Sequence, residues 1–102
     1  MGDELTINCT IDGEKATYVL EGSLSLISSP YLKNEIAKLD EGITSIDIDA
    51  TNLDYISDDG FELLLATKEA LAEKGGALRL LNPNEITAEV IEMMEIDLEV
   101  VA

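Results

Sequence analysis

The sequence predicts a single α/β domain over residues 1–102, a mixed and mostly parallel sheet that opens on an antiparallel hairpin and carries helices packed on it. Three observations predict it. Two β-prone runs near the N-terminus are separated by little more than Asp12-Gly13-Glu14, a connection too short for a crossover helix. Beyond them, apolar spacing changes repeatedly between the period of two of a strand and the threes and fours of a helix. The later connections are of helical length, so the order is β-β-α-β-α-β-α-β and right-handed crossovers make the successive strands parallel.

The first strand is Leu5-Thr-Ile-Asn-Cys-Thr-Ile11, which alternates apolar and polar residues. Ala16-Thr-Tyr-Val-Leu20 is the second, and Glu21 to Ser29 reads as a loop. Pro30 suits the first turn of a helix over about 30–40, with Ser29 as N-cap and Gly42 as its stop. Leu32, Ile36 and Leu39 give that helix one apolar stripe. Thr44 to Ala50 is the third strand: Ile46 and Ile48 share one face, Asp47 and Asp49 the other. Asp47 is expected to be solvated, and Asp49 to sit at the C-terminal end of the strand, where α/β proteins place their sites.

The second helix is predicted over about 58–74, with Glu62, Glu69 and Glu73 as a narrow exposed stripe and apolar residues on the remaining faces. Gly75-Gly76 ends it, and the apolar Ala77–Leu81 reads as a central strand. A third helix over about 84–94 is expected to turn Ile86, Val90, Met93 and Met94 inward as core filler. Asp97 to Val101 is a short last strand.

Composition narrows the function. The formal charge is −16, from 22 acids against 6 bases. That argues against nucleic acid or an anionic membrane as partner, because phosphate binding needs clustered Lys and Arg. It permits a basic protein partner, which the charge would steer toward encounter. Cys9 is the only cysteine and there is no histidine, so an internal disulfide is impossible and a zinc site is not expected. No apolar run approaches the roughly 20 residues of a membrane span. The Met-Gly-Asp-Glu start lacks the basic and apolar segments of a signal peptide, so the expectation is a soluble cytoplasmic domain.

The rest of the chain is organised around the run from Ile46 to Gly60 and the helix that follows it. Ser57 is a natural N-cap, since its hydroxyl can accept a hydrogen bond from a first-turn N–H. Asp58 and Asp59 place two negative charges at the positive end of the helix dipole. Gly60 allows a close approach to the backbone. On these grounds alone the run is equally well a helix with a good cap.

Three segments carry a family resemblance across nearly the whole chain: Glu21-Gly-Ser-Leu-Ser, Asp49-Ala-Thr-Asn-Leu-Asp-Tyr-Ile-Ser-Asp-Asp-Gly60 and Lys74-Gly-Gly-Ala-Leu-Arg-Leu-Leu-Asn-Pro83. Together, at consistent spacing, they resemble the STAS domain, the fold of bacterial anti-sigma-factor antagonists. That family's middle motif reads Asp-Leu-Ser-x-Leu-x-x-Ile-Asp-Ser-Ser-Gly, and its later one Gly-Gly-x-Leu-x-Leu-x-Asn-Pro. The resemblance implies a non-enzymatic switch of partners. The unphosphorylated protein captures an anti-sigma factor, often itself a Ser/Thr kinase, and phosphorylation of the Ser after the motif Asp breaks that capture.

The sequence departs from the family at the centre of the motif. With Gly60 on the motif glycine, Ser57 falls on the family's Asp, Asp58 on the phosphorylated Ser and Asp59 on the residue after it. Upstream, Ser25 replaces the Asp of a Gly-x-Leu-Asp segment. Asp58 is therefore the phosphoacceptor equivalent, and it cannot undergo the serine reaction. Its single charge partly resembles a phosphate, which carries about −1.5 to −2 at pH 7; drift in a domain that no longer switches is the competing account. The resemblance places partner binding on Ser25, Ser57, Asp58, Asp59, Gly60 and Glu62, with no catalytic residue, cofactor or metal.

Other functions fit less well. A STAS regulatory subunit of a transport complex is compatible with the sequence. A phospho-aspartate receiver needs an acidic pair after its first strand and a late Lys, whereas here Thr10-Ile11-Asp12 ends that strand and no Lys follows Lys74. A hydrolase lacks its His and its Gly-x-Ser-x-Gly elbow. Asp47, Asp49, Asp54, Asp58 and Asp59 could hold Mg²⁺ only weakly, because strand alternation scatters them.

Overall fold

The computed structural model describes residues 5–102. The Met1–Glu4 start, read above as lacking a leader pattern, lies outside the described residues. The elements are β1 (Leu5–Asp12), β2 (Lys15–Leu24), α1 (Ser29–Ala37), β3 (Ser45–Ile56), α2 (Asp58–Ala72), β4 (Ala77–Leu81), α3 (Glu85–Met93) and β5 (Glu99–Val101). They form one five-stranded sheet in the order β1-β2-β3-β4-β5. The β1–β2 pair is antiparallel across the Gly13-Glu14 loop, and the other pairs are parallel. This is the mixed, mostly parallel α/β sheet that the sequence predicts.

Sequential parallel order with right-handed crossovers puts all three helices on one face of the sheet. That face supplies the core: Tyr18 and Leu20 from β2, Ile46 and Ile48 from β3, and Leu78 and Leu80 from β4 are all buried. Leu32 of α1, Leu64 and Leu71 of α2 and Ile91 of α3 close over them. The Tyr18 hydroxyl donates to the Glu35 carbonyl at 3.2 Å, tying the sheet to α1.

The two glycines after α2 have separate duties. Gly75 takes φ +79, the left-handed conformation that ends a helix. Gly76 passes so close to the start of β3 that an added Cβ would lie 1.6 Å from the Thr44 carbonyl oxygen. The chain therefore turns out of α2 and enters β4 beside β3 without room for any side chain.

Several boundaries differ from the sequence reading. β2 continues through Leu24 and β3 through Ile56, where a loop and an earlier strand end were expected. The two extensions hold each other: Glu21 pairs with Asn52, Gly22 with Leu53, Ser23 with Tyr55 and Leu24 with Ile56, with two register shifts on the way. Burial of Leu24, Leu53 and Ile56 outweighs the weak β-propensity of the Gly, Ser, Asn and Asp between them. Asp49 is consequently inside β3, not at its end. There its carboxylate accepts from Thr51 N at 3.0 Å and Thr51 Oγ1 at 2.7 Å.

At α1 the N-cap is Ser28 rather than Ser29, and it makes no side-chain capping bond, because its hydroxyl already donates to the Ser23 carbonyl and accepts from Ser25 N. Ser29 is the first helical residue, with its hydroxyl buried and without a hydrogen-bond partner among the described residues.

Asp47 is a further correction. It points to the helix-free face, as alternation predicts, yet it is only 4% exposed. Arg79 on β4 grips it bidentately, Nε to Oδ1 at 2.9 Å and Nη2 to Oδ2 at 2.8 Å, and Lys15 on β2 lies 2.8 Å from Oδ2. The Arg79 hydrogen bonds, helped by Lys15 and opposed by burial, hold the Asp47 carboxyl below the usual carboxylate range.

The last correction is α3. Thr87 and Ile91 are its buried residues and Val90 is half-buried. Ile86, Met93 and Met94, expected inward, are exposed. The helix sits beside the three-residue edge strand β5, so the sheet beneath it is too narrow to cover a wide apolar face.

Candidate functional site

The Ser57–Gly60 turn is built by β3 handing the chain directly to α2. Ser57 is extended at φ −83, ψ 174, and its Oγ accepts from Gly60 N at 3.2 Å, so it caps the helix as its residue type predicts. Ser57 N donates to the Leu24 carbonyl at 2.8 Å, which locks the turn to the end of β2. Gly60 is buried against the same strand end: a Cβ there would lie 2.8 Å from Leu24 O and 2.9 Å from Ile56 Cγ2. Any larger residue would push α2 off the sheet. The close approach that the glycine allows is thus to the protein's own backbone.

Asp58 and Asp59 form the exposed first turn of α2, and Glu62 is exposed one turn beyond Asp58. Four ion pairs occur among the described residues, and none includes these three acids. The free N–H groups of the helix end offset part of their charge.

Ser25 opens the tight turn between β2 and α1. Its hydroxyl accepts from Ile27 N at 3.2 Å and Ser28 N at 3.4 Å, and its carbonyl accepts from Ser29 N at 2.8 Å. The Leu24–Ser57 hydrogen bond brings this turn beside the start of α2, so all six residues predicted for partner binding belong to two adjoining turns and the first two turns of one helix. Ser25 and Ser57 hold the backbone; Asp58, Asp59 and Glu62 are the side chains presented to solvent.

The sequence reading omitted the apolar part of this surface. Leu26, Ile27, Tyr31 and Tyr55 are between 54% and 67% exposed. Leu26 and Asp59 line one open cleft of about 270 Å³ with Ser29, Pro30, Lys33 and Leu63. The signal was present in Leu26-Ile27, an apolar pair in a serine-rich loop with no helical or strand partner to face.

Chemically, the site offers exposed carboxylates beside an apolar cleft, with no nucleophile–base pair. Among the described residues, no group of three or more His, Cys, Asp or Glu side chains is placed to hold a metal ion. Nor is any described helix long and apolar enough to cross a membrane. The arrangement is a set of exposed acidic side chains and apolar residues on a small α/β scaffold.

The chain belongs to the STAS domain family, whose model matches residues 6–101. Its fold is that of solved anti-sigma factor antagonists. The unphosphorylated form of SpoIIAA superposes with a TM-score of 0.76 at 18% identity, covering 96% of this chain and 87% of that one. An antagonist from Mycobacterium paratuberculosis gives 0.81 at 18% identity, covering 95% and 85%. A putative antagonist from Thermotoga maritima gives 0.86 at 15% identity, covering 94% and 86%. Among curated proteins, no sequence matches.

Proposed function

We propose that this STAS domain is a non-enzymatic binding module of a partner-switching system, and that it engages an anti-sigma factor or kinase through the Ser25 and Ser57–Gly60 turns. The observation that carries the reading is the placement of Asp58: the first residue of α2, exposed, in no ion pair among the described residues, and next in the chain to Asp59, which lines a largely apolar cleft. It stands where the family resemblance puts the phosphorylated serine. In that position a carboxylate supplies permanently part of the charge that phosphorylation would add transiently. Burying it at an interface without a matched cation leaves its desolvation uncompensated. The native chain is therefore held in the weakly binding state toward a conventional anti-sigma kinase.

Calorimetry with the cognate anti-sigma kinase tests this, comparing wild type, Asp58→Ser and Asp58→Asn. The Asp58→Ser variant should bind more than about tenfold tighter, and ATP with the kinase should reverse the gain. If wild type binds at least as well as Asp58→Ser, and Asp58→Asn weakens binding by more than about 1.4 kcal/mol, a tenfold change, then Asp58 contacts a partner cation and the locked-state reading fails.

A further inference from the structure

The C-terminal helix α3 carries apolar surface that the fold does not use. Ile86 is 70% exposed, Met93 79% and Met94 64%. With the half-buried Val90 they recur at i, i+4, i+7 and i+8, which is one continuous stripe along a helix. The face seated on the sheet is centred on Thr87 and Ile91, and Val90, packed against the core, joins it to the stripe. A helix that only completes the core needs that buried face alone; this one extends its apolar surface past it to Ile86 and Met93.

The charge around the stripe is of one sign. Glu85, Glu89, Glu92, Glu95, Asp97 and Glu99 follow within fifteen residues, and no Lys or Arg occurs after Arg79. Among the described residues, Asp97 is the one of these acids with an ion-pair partner, Lys68. Glu85, Glu89 and Glu92 form a row on the outer side of α3, between the Ile86–Met93 stripe and an open hollow whose apolar floor is Ala88, Ile91 and Val100. Apolar surface therefore flanks the glutamate row on both sides.

We propose that this flank of α3 docks a basic amphipathic helix of a protein partner, independently of the Ser57–Gly60 site. Its Lys and Arg would meet the glutamate row while its apolar face lies along Ile86, Val90 and Met93. Unbranched methionines suit such a surface, because they repack around side chains of varied shape. The charge selects the occupant. A second copy of this chain would bring another −16 and the same glutamate row against it. An anionic lipid surface is repelled in the same way. Ile86 lies at the sheet end that holds Ser57, since Asn84, the cap of α3, donates to the Leu53 and Asp54 carbonyls. Met93 lies about 10 Å further along the helix.

The test is an NMR titration of isotope-labelled protein in about 0.15 M salt. The probe is a Leu/Lys peptide of about 18 residues, five helical turns, with all leucines on one face; the control has the same composition in permuted order. The patterned peptide should bind more than about tenfold tighter than the control and shift the signals of Ile86, Val90, Met93 and Met94. The Ile86→Gln/Met93→Gln double variant, which changes only exposed helical positions, should keep its melting profile and lose that margin, whereas Asp58→Ser should keep it. Equal binding of both peptides would reduce the effect to bulk charge and overturn the proposal. Shifts centred on Leu26 to Gly60 would overturn it as well. So would a wild-type dimer in sedimentation that the double variant abolishes, since it would assign the face to a second copy.

Discussion

Asp47 and Asp58 lie eleven positions apart in one β3–α2 segment, and the fold gives them opposite surroundings. Asp47 stands in the middle of the sheet between β2 and β4, and each neighbouring strand supplies a cation, Lys15 and Arg79. Asp58 stands where the chain has left the sheet, at the N–H end of a helix, and no ion pair among the described residues includes it. A carboxylate whose bonding capacity is filled from within stabilises the domain; one left open is available to a partner. The difference comes from position along the strand, since the residue type is the same.

The largest effect should come from breaking the filled site. Asp47→Ala removes a bidentate Arg contact and a Lys contact, at an expected cost of about 2 kcal/mol in urea melts at neutral pH. The Arg79 and Lys15 side chains are 37% and 42% exposed and can rehydrate. That keeps the loss under the roughly 3–5 kcal/mol of a fully buried pair. The sign of the pH dependence follows from the lowered carboxyl pKa. The Asp47 contribution is complete above the unfolded carboxylate value near ~4 and is lost as pH falls through the lower folded value. The gap between wild type and Asp47→Ala should therefore close in acid. A gap that stays constant down to pH values well below ~4 would mean that the loss is one of packing, with no part in charge pairing.

The same pair shows what the sequence could and could not disclose. Alternation assigned Asp47 to the correct face, and the Ser57-Asp58-Asp59 order placed the helix start at about residue 58, where it lies, because both are local rules. The cations on Asp47 come from strands 32 residues away in each direction along the chain, with Arg79 at the later end and Lys15 at the earlier. No local pattern encodes them. The extensions of β2 and β3 were hidden for a related reason: Gly22, Ser23, Asn52 and Asp54 are poor strand formers singly, and only the pairing of the two segments makes them strands. On α3, spacing revealed an apolar stripe and the fold turned it outward, since periodicity counts faces without saying which one meets the sheet. In the candidate site, the acidic turn was legible and the cleft of Leu26 and Leu63 was not, because it forms only where α1 and α2 approach.

A middle-sized effect should come from the hinge between the two regions. Ser57→Ala deletes the hydroxyl that accepts from Gly60 N, and should cost about 1 kcal/mol. Ser57→Asn, another good cap, should recover most of it. The Leu24–Ser57 backbone bond survives both changes, so the loss belongs to the cap. Urea midpoints that do not move in Ser57→Ala would show that the carboxylates of the first turn, and not the hydroxyl, hold the end of α2.

The smallest stability effect should be at Asp58. Asp58→Asn removes one charge from the positive end of the α2 dipole, a loss of about 0.5 kcal/mol at low salt. That loss should shrink further as salt screens the exposed carboxylate. Two features keep it small. Among the described residues Asp58 makes no ion pair that the substitution would break, and the cap hydrogen bond belongs to Ser57. The same substitution leaves Asp47, Arg79 and Lys15 untouched, so the two variants should add when combined, as sites without shared partners do. The comparison is sharpest when stability and binding are measured on one pair of variants. Asp47→Ala should lower stability without changing affinity for the partner once the folded fraction is accounted for. Asp58→Asn should change affinity with stability nearly unchanged. If Asp58→Asn destabilises the domain as much as Asp47→Ala, the first turn of α2 depends on that carboxylate for its own structure, and the charge is not free to act as a standing signal to a partner.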